Sequence, residues 1–312
     1  MTRADDTTAP DREALVRGLA RDALGSDTTI GRVDVLTSGP AGAVLVLRLA
    51  DAPDVVAKLA PVTARPAVDL RRTAAVASMV RAAGAPVAAV VAAGDAGPWQ
   101  YLLQLEVPGR AWRDVVRQLD AAAAAAARRE IAAAVRAVHS VEVDGFGEFT
   151  ATGEVAAAPD LLGALRRRAD LRILDTARRE LFLEVLDERA GLFAVPGRPT
   201  VCHDDLHHGN VLFRPASGGW TLSGIIDWDK AWAGPADADT ARLQFWDDMT
   251  DPVPDRHHDA ALPPRASDRD LVHQLLWCLE HDWATPRHRG DTTAVLDALS
   301  VARHRHPRPK DA

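Results

Sequence analysis

Residues 202–213 read Cys202-His203-Asp204-Asp205-Leu206-His207-His208-Gly209-Asn210-Val211-Leu212-Phe213, and the β-type run Leu222-Ser223-Gly224-Ile225-Ile226 leads on to Asp227-Trp228. Together they set out an aspartate, an asparagine five residues later, and a second aspartate at the end of a strand. The Asp205 carboxylate can accept a proton from a hydroxyl. Asn210 and Asp227 offer hard oxygens of the kind Mg²⁺ takes, one or two from the protein and the rest from phosphates and water. A base and a metal ligand that serve the same phosphate belong on one short loop, and a five-residue separation permits this.

Working outward, Val211–Phe213 and Leu222–Ile226 flank Ser217-Gly218-Gly219 and predict a hairpin. Upstream, Ile30–Leu36, Ala43–Leu49 and Val55–Leu59 are three β-type runs, the first two joined by Ser38-Gly39-Pro40-Ala41-Gly42. Helical spacing of Leu15, Leu19 and Leu24 predicts a helix over 11–24, after a loose tail at 1–9. A second helix is expected over 67–83, ending at Gly84, then an extended segment from Pro86 to Ala93. Tyr101–Glu106 reads as a strand that Pro108-Gly109 breaks, and the lobe boundary is placed there: 1–107 and 108–312. Beyond it the pattern is mainly helical. Asp120 is a candidate N-cap for an alanine-rich helix through His139. Residues 161–190 read as helical with one buried face, 269–282 as a last helix, and 303–312 as a disordered tail.

A chain of 312 residues with 47% hydrophobic and 26% charged residues suits one large or two-lobed soluble unit. A net charge of -7 speaks against a general nucleic-acid binder. Two cysteines, Cys202 and Cys278, make no disulfide framework and fit a reducing compartment. With no apolar leader or 18-residue apolar run, the expected location is cytoplasmic, with no membrane partner. His203, His207 and His208 lack the spacing of a zinc site. Cys202 reads as a small buried hydrophobe, and no P-loop, Rossmann or Gly-x-Ser-x-Gly fingerprint is present.

The segment around Asp205 resembles the His-Gly-Asp-Leu-His-Pro-Gly-Asn motif of the aminoglycoside phosphotransferase family, and Gly224-Ile225-Ile226-Asp227-Trp228 resembles that family's metal-binding motif. Similarity extends to Gly234-Pro235 with Asp239, to Val138-His139 and the stretch 141–149, and to Tyr101–Gly109, which looks like the inter-lobe hinge. The resemblance implies an α+β, bilobal protein-kinase-like fold: an N-terminal antiparallel sheet lobe with a helix, then a larger, mainly helical lobe. It implies Asp205 as catalytic base and Asn210 and Asp227 as Mg²⁺ ligands. Lys58 would hold the α- and β-phosphates of ATP or GTP, under a loop containing Ser38, Gly39 and Gly42, with the backbone of Leu105 to Val107 at the purine edge. His203 and His207 would brace the loop.

Three positions depart from the family pattern. The usual helix glutamate that pairs with the strand lysine is Thr73, in Leu70-Arg71-Arg72-Thr73, with Asp69 one turn earlier as a possible substitute. Asp204 stands where a glycine is usual, so that it either raises the Asp205 pKa by like-charge repulsion or points to solvent. His208 replaces a proline. For the hydroxyl-bearing acceptor, the C-terminal third offers Trp246, Asp247, Asp248, Glu280, Asp282 and Trp283, an acidic and aromatic set suited to a polyamine through charge-assisted hydrogen bonds or equally to a solvated surface. The resemblance implies transfer of phosphate to a natural-product antibiotic. A metabolic kinase acting on choline, homoserine or a thiosugar, and a nucleotide-binding pseudokinase suggested by Thr73, are the alternatives.

Overall fold

The computed structural model describes residues 9–40, 42–64, 67–249, 266–281 and 286–305. Helix α1 (Ala9–Leu24) precedes strands β1 (Ile30–Gly39), β2 (Gly42–Leu49) and β3 (Val55–Pro61), helix α2 (Leu70–Ala82), and strands β4 (Val90–Ala96) and β5 (Trp99–Leu105). The five strands form one antiparallel sheet in the order β1-β2-β3-β5-β4. Alternation decides which face is buried: Leu45, Leu47, Val55, Ala57 and Leu59 pack with Val16 and Ala20 of α1. On β3 the register is Lys58 between Val44 and Leu102, so the lysine sits mid-sheet.

The chain then forms β6 (Arg110–Ala111), α3 (Trp112–Val115), α4 (Ala121–His139), β7 (Gly147–Phe149), β8 (Val155–Ala157), α5 (Leu161–Arg172), α6 (Thr176–Glu188), β9 (Pro199–Cys202), β10 (Val211–Ala216), β11 (Gly219–Ile225) and β12 (Trp232–Pro235), ending in α7 (Asp237–Met249), α8 (Asp268–Glu280) and α9 (Pro286–Arg305). Two small antiparallel sheets, β11-β10-β6 and β8-β7-β12-β9, support the loop of interest. A bilobal, kinase-like α+β arrangement results, as the sequence resemblance implies. Asp120 caps α4 by accepting from the Ala123 amide at 2.8 Å, the cap expected of it.

Several elements differ from the sequence expectation. Helix α2 begins at Leu70 rather than 67, because Asp69 adopts an extended backbone and accepts from the Arg72 amide as N-cap. The single helix expected over 161–190 is two. Ile173 leaves the helical region at φ -92, ψ 97, and Asp175 caps a new start by accepting from the Arg178 amide. Ile173 is wholly buried, so apolar spacing continues through a break that only the backbone reveals. The residues expected to be extended from Pro86 enter regular pairing only at Val90, although Val87 bridges Ile225 of β11. Helix α9 runs to Arg305, into the stretch expected to be a loose tail.

A buried core joins the two halves. Val76, Ala77 and Val80 of α2 pack with Trp112, Leu206, Phe213, Ile225 and Trp228. Helix α2 therefore faces the Asp227 strand end directly. This places its side chains within reach of the site.

Candidate active site

Asp205 lies on the loop between β9 and β10, and a shared frame of hydrogen bonds fixes that loop. Asp239 on α7, fully buried, accepts the amides of His203 at 2.9 Å and Asp204 at 2.7 Å and takes a further bond from His139 Nε2 at 2.9 Å. The His203 ring bridges two segments. Its Nδ1 accepts the Asp205 amide at 3.1 Å, so Nε2 carries the proton and donates to the Ile226 carbonyl at 2.9 Å. His207 Nδ1 accepts the Gly209 amide at 2.9 Å. The first two histidines of the motif thus act as loop braces, as the resemblance implies.

Asn210 is buried and its amide group donates to the Asp205 carbonyl at 3.0 Å, so the amide oxygen is the side-chain atom that could ligate a cation. The Asn210 carbonyl accepts the Ile226 amide at 2.9 Å, which ties the loop to the residue before Asp227. Asp227 follows with φ 68 and ψ 64, a left-handed conformation rare for a residue with a Cβ, though aspartate tolerates it better than most. Its Oδ1 accepts from Lys58 Nζ at 2.7 Å across the cleft. Lys58 also contacts Asp229. Burial alone would push the lysine toward neutrality, but the Asp229 and Asp227 carboxylates outweigh it and hold its pKa above the ordinary value. The structure brings Lys58, Asp205, Asn210 and Asp227 to one place from three separate elements: β3, the β9–β10 loop and the end of β11.

Lys230 was not anticipated. It ends the short turn after Asp227, and its Nζ reaches Asp205 Oδ1 at 3.3 Å, Glu280 Oε2 at 3.3 Å and His281 Nε2 at 3.0 Å. Burial tends to raise the Asp205 pKa, yet nearby positive charge, led by Lys230 and including Arg242, overcomes it and keeps the carboxyl below its usual range. Asp204 does neither of the things expected of it. It occupies a left-handed backbone position at φ 57, which accounts for the glycine usual there. Its side chain is buried and accepts from Arg168 Nε at 3.0 Å, with Arg242 at 3.6 Å from the other oxygen. Arg168 and Arg242 override the cost of burial, so the Asp204 carboxyl is also lowered and stays ionised.

Other expected contributors sit as follows. Ser38 Oγ accepts from Arg12 Nη1 at 2.8 Å, which fastens the β1–β2 turn to α1. Gly39 pairs with Gly42 in that turn. Gly42, at φ 139, lies so close to the Leu59 carbonyl that a Cβ would collide with it. The Leu105 and Glu106 amides already donate to Ala89 and Asp54, and Val107 packs on Gly224 of β11. Glu280 is buried against Lys230 and so is not a free acidic contact for an acceptor. Trp246, Asp247 and Asp248 lie on α7 with their side chains outside the described residues, as do Asp282 and Trp283 altogether. The Asp69 substitution for the missing glutamate fails, because its carboxylate is spent capping α2.

The model of the phosphotransferase enzyme family matches residues 37–272, three quarters of the chain. The chain belongs to that family. Among solved structures it is similar to a thermostable mutant of aminoglycoside phosphotransferase APH(4)-Ia in a ternary complex with AMP-PNP and hygromycin B, at 15% identity and a TM-score of 0.67, over 94% of this chain and 99% of that one. It is also similar to aminoglycoside phosphotransferase APH(3'')-Id from Streptomyces rimosus ATCC10970, at 19% identity and a TM-score of 0.52, over 93% and 98% of the two chains. A third is the amicoumacin kinase hAmiN in complex with AMP-PNP, Ca²⁺ and Ami, at 12% identity and a TM-score of 0.55, over 95% and 96%. At these identities the similarity establishes the shared fold. No curated protein matches the sequence.

The histidines of this phosphotransferase-family site make its stability pH-dependent in one direction. Burial, stronger than the effects of the nearby charges, holds both His207 and His281 down to about 4. Unfolded, each would titrate near 6.5. Between these values the unfolded chain binds protons that the native one refuses, so stability is full above 6.5 and falls as pH drops toward 4. The depressed Asp204 and Asp205 carboxylates extend the loss below that window. Thermal midpoints measured from pH 8 to 4 are expected to fall steadily through 6.5–4; a flat profile there would contradict neutral burial of the two rings.

Proposed function

We propose that this protein transfers the γ-phosphate of ATP or GTP to a hydroxyl of a small-molecule antibiotic, an aminoglycoside, a nucleoside or a related natural product, and so inactivates it. The observation that carries this reading is the convergence of Asp205, Asn210, Asp227 and Lys58 on one cleft. The nucleotide would lie between residues 1–107 and 108–312, with Lys58 on its α- and β-phosphates, the Ser38-to-Gly42 turn above them and the backbone near Leu105 and Val107 at the purine. Since two amides of that hinge are already engaged, purine recognition falls to Val107 and to backbone carbonyls.

The donor set suits a hard divalent cation: a carboxylate on Asp227 and an amide oxygen on Asn210, held together by the Asn210–Ile226 backbone bond. Those two residues would hold Mg²⁺, which when bound offsets the charge of the phosphates being transferred. Asp205 would orient the acceptor hydroxyl and take its proton late. A carboxylate held ionised by Lys230 is a weak base, which is sufficient here because phosphoryl transfer passes through a loose transition state that asks mainly for positioning.

One observation favours the second reading, a metabolic kinase acting on choline, homoserine or a thiosugar. Lys230 neutralises Glu280, which removes one anionic contact that a polycationic antibiotic would use. Expression in a susceptible bacterium separates the two. The proposal expects a raised inhibitory concentration for one class among aminoglycosides, nucleoside antibiotics and macrolides, abolished by Asp205→Asn. Unchanged susceptibility to all of them, with turnover of a metabolite, would overturn the resistance role and leave a metabolic kinase.

A further inference from the structure

The chain lacks the helix glutamate that would pair with its phosphate-binding lysine, and Thr73 fills that position. The structure shows what stands there instead. Thr73 is buried, and its single hydroxyl proton is shared between two acceptors, the Asp69 carbonyl at 3.1 Å and Asp229 Oδ1 at 3.3 Å. The other oxygen of Asp229, Oδ2, contacts Lys58 Nζ. A continuous link therefore runs from α2 through Asp229 to the lysine, with the carboxylate supplied from the opposite side of the cleft. Asp229 contacts both Thr73 and Lys58 and so connects the two.

The backbone of Asp229 is pinned independently of its side chain. Arg72 Nη2 donates to the Asp229 carbonyl at 2.6 Å and Arg172 Nη2 at 3.2 Å. Arg72 is also paired with Glu148 of β7 at 3.1 Å, so α2 is anchored a second time by a half-buried carboxylate. Lys58 is shared between two carboxylates, Asp227 and Asp229. If Asp227 is committed to a divalent cation, Asp229 is the carboxylate left to the lysine.

We infer that Asp229, seated by the Thr73 hydroxyl, is the positioning residue that replaces the helix glutamate and aims Lys58 at the nucleotide phosphates. The inference rests on the phosphotransferase reading above and adds to it the element that reading lacks. It also removes the main support for a pseudokinase, because the lysine keeps an anionic partner despite Thr73.

Calorimetric titration of the full chain with ATP, with GTP, and with each nucleotide plus Mg²⁺ tests it. Asp229→Asn is expected to weaken binding on the order of tenfold, as loss of one charge-assisted hydrogen bond implies, both with Mg²⁺ and in EDTA. Thr73→Val should weaken it in the same direction and less. The double variant Thr73→Glu with Asp229→Asn should restore affinity, since it returns the carboxylate to the helix. Unliganded thermal midpoints of the single variants should stay near that of the unaltered chain, because Arg72 and Arg172 hold the Asp229 carbonyl. If Asp229→Asn weakens only the Mg²⁺-loaded complex, Asp229 is a metal ligand and the positioning role is overturned. Unchanged affinity in EDTA for Asp229→Asn and Thr73→Val, or no rescue in the double variant, overturns it as well. An unaltered chain that binds neither nucleotide overturns the phosphotransferase reading and the positioning role together, which distinguishes the two failures.

Discussion

Asp205→Asn is expected to lower the rate of phosphoryl transfer by about 10²–10⁴-fold, the range a positioned acid–base group contributes, and to leave nucleotide affinity close to that of the unaltered chain. The expectation follows from what each atom of Asp205 touches. Its amide is held by His203 and its carbonyl by Asn210, so the loop keeps its shape when the side chain becomes neutral. In the proposed role, the variant loses the charge that would align an acceptor hydroxyl and receive its proton. Lys230 loses one partner but retains Glu280 at 3.3 Å, so the buried cation is not stranded. Steady-state kinetics should place the loss in kcat, with the KM for nucleotide little changed. A variant with full activity would remove Asp205 from the chemistry.

Arg168→Met is expected to destabilise the fold by about 3–5 kcal/mol, the cost of removing one member of a buried ionic cluster. The Arg168 side chain is wholly buried. It donates to Asp204, pairs with Glu148, reaches the Lys230 carbonyl at 2.6 Å and lies over the Trp232 ring at 4.9 Å. Without it the ion-pair partner left to Asp204 among the described residues is Arg242, at 3.6 Å, beside the Asp205 loop. Arg168→Lys should recover little, because a single ammonium cannot reproduce the guanidinium fork. Denaturant unfolding measures the loss directly. Unchanged stability would mean that the cluster is solvated and its charges are not interdependent.

The strands, the alanine-rich helix and the Asp205-Asn210-Asp227 order were legible in the sequence because each is local. Alternation shows a strand, Asp120 shows a cap, and a five-residue spacing shows a shared loop. The family resemblance supplied the two-lobed arrangement. What remained hidden depends on the third dimension. Arg168 and Asp204 are 36 residues apart and read as surface charges until burial pairs them. The Ile173–Asp175 break is invisible to apolar spacing because Ile173 stays in the core on either side of it. Asp229 and Lys230 follow Asp227 in a charged triplet without period, so nothing local separates a buried partner from a solvated one. Asp69 looked like a spare carboxylate for Lys58, and its position at a helix start was the signal that it would be used as a cap. Glu280 was legible as acidic but not as neutralised by Lys230.

The most direct test of the central claim is a turnover assay on purified protein. ATP or GTP with Mg²⁺ would be offered with aminoglycosides, nucleoside antibiotics, macrolides, choline, homoserine and thiosugars, and each acceptor analysed by mass spectrometry. Nucleoside diphosphate formation with one acceptor class is expected, with a gain of one phosphate on that compound and loss of both signals in Asp205→Asn. Acceptor phosphorylation that persists undiminished in Asp205→Asn, or nucleotide that binds tightly while no acceptor gains phosphate, would contradict it.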